Sequence, residues 1–338
     1  MQQPDLNLVF LLSENARAKI KNIAAAVKKS PQRVKYTLSA LQREGVLFHP
    51  YCIIDYSRFG FLLFRAYFKG GYAGEQEKVK IFHFLQHHPS VVSLYELSGE
   101  FDFVIEILVP NPSRFNKEVR KIAALFPTLN NYKIVLNVVT HIYPRWYLSQ
   151  GKLLLTEEPV SMVVGGDRAW EAFDARELRL LQALREDPIL RYTSLARKSQ
   201  MNVKTAISLL KALHKRKVVR GFQYLIDLSH LGVFRFRLFL KFHNVSDERE
   251  DQLMQYLLNT PEIVQVNKTV GDWNMEIDLE SRDQMRIRFL IREVREQFKD
   301  IIETFNLMEF YKTYFKSYLP RSWFEEEKKS MSGKGGSS

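Results

Sequence analysis

The chain has 338 residues, 46% of them hydrophobic and 13% aromatic, which excludes wholesale disorder and predicts two to four cores. No charge-free apolar run approaches the ~18–20 residues that span a bilayer, and the start carries Asp5 and no basic stretch, unlike a signal peptide. A single cysteine, Cys52, allows neither an internal disulfide nor a cysteine-cluster metal site, which fits a reducing cytoplasm.

The net charge of +12 is concentrated. Residues 17–50 hold eight Lys or Arg against one acid, and residues 185–220 hold ten against two. What remains is slightly acidic. The basicity is therefore two local patches, a distribution that points to nucleic acid more than to a diffuse surface effect.

In chain order, Ile20, Ile23, Ala24 and Val27 repeat at helical spacing. Ser30-Pro31 then supplies an N-cap and a first-turn proline, and Val34, Leu38 and Leu41 form one stripe of a second helix that ends at Gly45. Val46–Asp55 reads as strand. A period-two strand follows, with Leu62, Phe64, Ala66 and Phe68 on one parity and Arg65 and Lys69 on the other. Next come a helix (Gln76–His88), a strand (Val91–Leu97), a glycine turn, a strand (Phe101–Val109), a helix and a last strand ending at Pro144.

A shift of 172 residues rewrites the same plan without a gap. It sets Ala24 on Ala196, Leu38 on Leu210, Ile54-Asp55 on Ile226-Asp227, Gly60 on Gly232 and Gly99 on Gly271. The second copy has a cap at Asn202, a strand-like run Val218–Asp227, then Arg235, Arg237 and Lys241 on the polar parity. Its later elements are Glu248–Asn259, Ile263–Thr269, Trp273–Leu279 and a strand ending at Pro320. The expected fold is α+β: two tandem units, each a winged helix-turn-helix followed by a ferredoxin-like βαββαβ domain. The expected boundaries are 1–58 and 59–149, a linker 150–173, then 174–230 and 231–324, with a disordered tail 325–338.

Each capped helix is a candidate for major-groove reading. Lys28, Lys29, Ser30, Gln32, Arg33, Lys35 and Tyr36 in the first unit, and Arg197, Lys198, Asn202, Lys204 and Thr205 in the second, are the candidate DNA contacts. Arg and Lys suit guanine edges, Gln suits adenine, and the surrounding cations neutralise phosphates. His83, His87 and His88 include an i,i+4 pair, but no third ligand accompanies them, so a solvated helix face is the expectation and no metal site is assigned. Cys52 reads as a small buried hydrophobe. Gly70, Gly71 and Gly74 lack the Gly-Lys-Ser/Thr of a phosphate loop. No catalytic motif or recurrent acid pair stands out, so no cofactor and no catalytic residue are assigned, and the chain reads as a non-enzyme.

The run Leu41-Gln42-Arg43-Glu44-Gly45-Val46, the Ile-Asp that follows, and Ser98-Gly99-Glu100-Phe101-Asp102-Phe103 inside a βαββαβ unit resemble the Lrp/AsnC (feast/famine) transcription regulators. The resemblance covers nearly the whole chain, twice. It implies a ferredoxin-like domain that self-associates and senses an amino acid or related metabolite beside the Gly-x-x-Asp turn. That assigns Gly99, Glu100, Asp102, Gly271, Asp272 and Asn274 to an effector site. The family usually holds one copy per chain, so two copies imply that one polypeptide takes the place of a dimer. Asn274 where the first turn has Asp102, and Lys217 where the first helix ends in Gly45, are departures that set the two units apart. The expected function is thus a cytoplasmic, sequence-specific regulator whose partner is double-stranded DNA. One rival is a siroheme decarboxylase on the same scaffold, which would need His and Arg side chains along the unit interface. The eight histidines do not recur between units, and the basic residues concentrate on the helix-turn-helix. The other rival is a metabolite-binding scaffold without DNA binding.

Overall fold

The computed structural model describes residues 5–69, 74–151, 153 and 160–325. The first unit begins with α1 (Leu6–Glu14), α2 (Ile20–Ala26), α3 (Pro31–Arg43) and β1 (Leu47–Ile54). Its second half is β2 (Leu62–Phe68), α4 (Glu75–His87), β3 (Val91–Ser98), β4 (Phe103–Val109), α5 (Pro112–Leu125) and β5 (Tyr132–Ile142). After β6 (Met162–Gly165), the second unit runs α6 (Ala175–Glu186), α7 (Tyr192–Lys198), α8 (Val203–Lys215) and β7 (Val219–Ile226). It continues with β8 (Phe234–Phe242), α9 (Asp247–Leu258), β9 (Ile263–Gly271), β10 (Met275–Ser281), α10 (Gln284–Gln297) and β11 (Ile302–Lys316).

Both helix-turn-helix motifs form for the same local reasons. The Ser30 hydroxyl accepts from the Arg33 amide at 3.2 Å, and the Asn202 side chain accepts from the Thr205 amide at 2.8 Å, so each satisfies an otherwise orphaned N–H. Both inter-helix turns pass through a left-handed non-glycine residue, Lys28 (φ 53°) and its counterpart Gln200 (φ 54°). Lys217 (φ 61°) adopts the left-handed helix-end conformation of Gly45 (φ 74°), so losing the glycine does not change how α8 ends.

The single strand that follows each helix-turn-helix finds its partner in the other unit. β1 and β7 pair with each other, antiparallel, from Leu47↔Ile226 to Ile54↔Val219, and form a two-stranded sheet of their own. Each helix-turn-helix core is consequently completed by the other unit. Leu8, Phe10, Val34 and Leu41 pack in one cluster with Tyr224, Leu231 and Val233, while Ile53 and Ile54 pack with Leu181, Leu184, Leu210 and Leu213.

The two βαββαβ halves close on each other. The strand order β2-β4-β3-β11-β8-β10-β9-β5 returns to β2 through a β2–β5 pairing, giving an eight-stranded barrel with β6 added to β5. Long strands make the exchange. β11 pairs with β8 over Ile302–Glu309 and with β3 over Glu309–Lys316, and β5 is likewise divided between β2 and β9. Gly271 of β9 lies opposite Val135 of β5 at close approach: a Cβ there would lie 2.9 Å from the Ile134 carbonyl oxygen. The apolar parity of β2 and β8 faces α4–α5 and α9–α10 on the outside, and the polar parity faces the barrel interior.

The segment read as a linker contributes β6 and anchors it through the Gly165 amide and Arg168, which bind buried Asp55 at 2.9 and 3.0 Å. Its residues 152 and 154–159 lie outside the described residues, as do Gly70, Gly71 and the tail from 326. Cys52 is buried, and burial pushes its thiol well up, which makes it a core residue. Among the described residues, no helix is long and apolar enough to cross a membrane.

Candidate functional site

The candidate DNA contacts separate into three groups. Gln32, Arg33, Lys35 and Tyr36 on α3, and Lys204 on α8, are exposed, Tyr36 by 71%. Lys28 and Arg197 are also exposed beside their helices, and Thr205 is half-buried. Lys29 and Lys198 already hold acids, Asp5 and Glu186 respectively. Ser30 and Asn202 spend their side-chain oxygens on the caps described above, so their first role is to build the helix ends. Free amides at those ends, with the cations around them, form a surface suited to phosphate.

The six proposed effector residues are brought together at one end of the barrel. Lys133 of β5 lies between the two turns, 3.4 Å from Glu100 and 3.5 Å from Asp272, with its ammonium 5.7 and 5.8 Å from the ring centres of Phe101 and Trp273. The backbones of the turns match: the Asp102 amide donates to the Phe68 carbonyl at 2.8 Å, and the Asn274 amide to the Leu240 carbonyl at 2.9 Å. Asn274 also accepts from the Phe242 amide at 2.9 Å, a structural use of its side chain. Glu100 accepts from Asn306 at 2.9 Å, which ties the first turn to β11.

The barrel interior holds a constellation that sequence reading missed. Arg65 donates to Glu106 at 2.9 Å and to Glu276, in the other unit, at 2.8 Å. Arg237 binds Asp278 at 2.5 Å and the Tyr67 hydroxyl at 2.8 Å, and Tyr67 in turn donates to Glu276 at 2.9 Å. Farther along, Arg145 and Tyr147 both donate to Glu280 at 2.8 Å. Arg145 and Tyr147 are half-buried and the other side chains of the constellation are buried. Burial pushes the Glu106 carboxyl up, but Arg65 and Lys316 outweigh it and hold the group below its usual range. For Asp278 the same contest is won by Arg237 and Arg235. Glu14 goes the other way: burial exceeds the pull of Arg145, and its carboxyl is raised. Only about one water's room, near 10 Å³, remains between Arg65, Glu106, Gln265 and Lys316.

No acid pair recurs, since Val104 stands at the offset of Glu276, but a single acid does: Glu106 and Asp278 stand 172 residues apart, each bound to an arginine, Arg65 or Arg237, at the same offset. The reading of where the basic residues concentrate needs correction. Arginines also do line the unit interface. Of the three histidines, His83 and His87 share an exposed face with ring centres 4.3 Å apart, but His88 is buried, 3.5 Å from Glu118. Among the described residues no group of three metal-ligating side chains converges.

The family described as winged helix-turn-helix DNA-binding matches residues 1–47. No curated protein sequence matches the chain. Among solved structures, the siroheme decarboxylase NirDL is similar over 96% of this chain and 98% of its own, with 14% identity and a TM-score of 0.57. The same enzyme bound to an iron-uroporphyrin III analogue is similar over 97% and 96%, at 15% identity and TM-score 0.56. An AsnC family transcriptional regulator from Agrobacterium tumefaciens is similar over 45% of this chain and 99% of its own, at 16% identity and TM-score 0.39. The fold is thus α+β, an N-terminal winged helix-turn-helix with β-rich domains, and along the whole chain it is similar to that of NirDL. The expectation of a non-enzyme does not stand, because the structures matching along the whole chain are those of an enzyme.

Proposed function

We propose that the chain is a cytoplasmic, sequence-specific DNA-binding transcription regulator of the Lrp/AsnC type, built from a duplicated unit. One observation carries the reading: Gln32, Arg33, Lys35, Tyr36 and Lys204 are exposed on two capped helices and join no ion pair among the described residues, whereas the arginines inside the barrel are all bound to acids. Cations without an internal partner, clustered with free helix-end amides on a capped helix, are available to an external polyanion. Arg33, Lys35, Gln32, Lys204 and Thr205 would make the base or near-base contacts. Salt titration of duplex binding tests this by fluorescence anisotropy: log K should fall with log salt at about −0.9 per neutralised phosphate, several units in all. Binding indifferent to salt overturns the reading.

An amino-acid effector would bind at the paired turns. The support is Lys133, whose ammonium already lies between two carboxylates and above two aromatic rings, as an effector amine would. Self-association would use the outer helices, since closure of the barrel pairs the edge strands of the two βαββαβ halves with each other.

A second reading, an enzyme acting on a tetrapyrrole, is favoured by the full-length likeness to siroheme decarboxylase and by the arginines at the unit interface. Siroheme added to the purified chain should then give a shifted, saturable visible absorbance. An unshifted spectrum counts against it.

A further inference from the structure

We propose that the cleft between the two helix-turn-helix units binds a small organic anion with an apolar or aromatic body. The cleft encloses about 470 Å³, within the range of sites that hold small molecules. One wall comes from α1 and α2 of the first unit and the other from α8 and β7 of the second. Four cations line it, Arg17, Lys19, Lys211 and Arg220, against one carboxylate, Glu14.

That carboxylate is already engaged. Glu14 accepts from the Gln223 amide at 2.9 Å and the Arg145 backbone amide at 3.3 Å, and lies 3.5 Å from the Arg145 guanidinium. The four cations join no ion pair among the described residues. Arg17 is oriented by a 2.7 Å bond to the Pro188 carbonyl and by the rings of Tyr192 and Phe222, 5.0 and 5.1 Å from its guanidinium carbon. Ile23, Leu210 and Phe222 supply apolar wall.

This chemistry selects the ligand class. Cations over an apolar wall suit a carboxylate, sulfonate or phosphate monoester carried on a hydrophobic body. A free amino acid fits poorly, because the four cations of the cleft repel its ammonium. The site is therefore different in kind from the paired turns. Because its walls belong to different units, an occupant would also fix the spacing of α3 and α8; this clause alone rests on the DNA-binding reading.

The test uses the full chain and 1-anilinonaphthalene-8-sulfonate, an aromatic sulfonate that fluoresces when enclosed. The expected result is saturable one-to-one binding, weakened at least tenfold by Lys19→Glu with Lys211→Glu. Both lysines are exposed, so the fold should survive, and circular dichroism checks it. Asn22→Trp, which fills the cleft without changing charge, should weaken binding to a similar extent. Dye affinity within twofold of the parent in the charge variant overturns the proposal. So does a tenfold loss of duplex binding with the dye unaffected, which would assign these cations to DNA phosphates. Failure of the parent chain to bind any duplex would sink the regulator reading and leave the dye result standing.

Discussion

The recognition helices and the barrel interior use the same residue types to opposite ends. On α3 and α8, Arg33, Lys35 and Lys204 stand in solvent without ion-pair partners among the described residues. Inside the barrel, Arg65 and Arg237 are 1% exposed and bound to Glu106, Glu276 and Asp278. A cation on a helix surface costs little to keep and is free to meet a ligand. A cation inside an eight-stranded barrel, which is just wide enough for its own side chains, persists only if the fold neutralises it. The comparison teaches that partner supply, more than charge count, separates a binding surface from a joint between units.

The largest effect should come from breaking that joint. Arg65→Met leaves Glu106 and Glu276 buried with their main counter-charge gone, and should cost about 3–5 kcal/mol of unfolding free energy. The midpoint of a urea titration reads this directly, and a loss below about 1 kcal/mol would mean that water reaches the barrel centre. The pH dependence sharpens the point. The Asp278 carboxyl is held below its ordinary range, so its stabilisation is present above the unfolded carboxylate range and lost as pH falls. Glu14, raised by burial, has the opposite sign: its contribution is full below that range and is lost as pH rises. Asp278→Asn should flatten the acid limb below about pH 5, while Glu14→Gln should raise stability at pH 7 relative to about pH 4. Identical pH profiles in the two variants would contradict these assignments.

Exposed cations should behave in the reverse manner. Arg33→Ala should leave the urea midpoint unchanged and weaken duplex binding by about 1–3 kcal/mol if the side chain reads a base. If it meets only phosphate, the loss should be uniform across sequences and the salt slope should shrink by about one. An equal loss of stability and affinity would place Arg33 with the structural arginines.

How much of this was legible in the sequence depended on the range of the interaction. The helices around Ser30-Pro31 and Asn202 were readable because their caps lie three residues from the amides they satisfy. The order of elements along each βαββαβ half followed from period-two runs and short turns. The cross-unit pairings β1–β7, β3–β11 and β5–β9 were not readable, since no local pattern records which edge a strand will choose. Arg65 and Arg237 were seen on the polar parity of their strands. That this parity faces a closed interior depends on the barrel, and Glu276 offered no repeat signal because the first unit has Val104 at that offset. The same offset did carry a usable signal, Arg65 with Glu106 and Arg237 with Asp278, which a search for recurrent opposite charges would have found.

The smallest predicted effect compares the two helix ends. Gly45 and Lys217 share a left-handed backbone, at φ 74° and 61°. Glycine adopts it freely, whereas a side-chain-bearing residue pays about 1–2 kcal/mol in crowding between Cβ and the following carbonyl. Against that, glycine loses about 0.4–1 kcal/mol by making the unfolded chain more flexible. Lys217→Gly should therefore stabilise the fold by a net ~0.5–1 kcal/mol. Gly45→Lys should cost a similar amount and no more, because a Cβ at Gly45 would meet the His230 ring at 3.6 Å, an ordinary contact. Paired urea titrations of the two variants give the comparison. If Gly45→Lys proves several times more costly than Lys217→Gly is beneficial, the first helix end requires glycine for a contact beyond backbone strain, and the two units differ there in packing as well as in sequence.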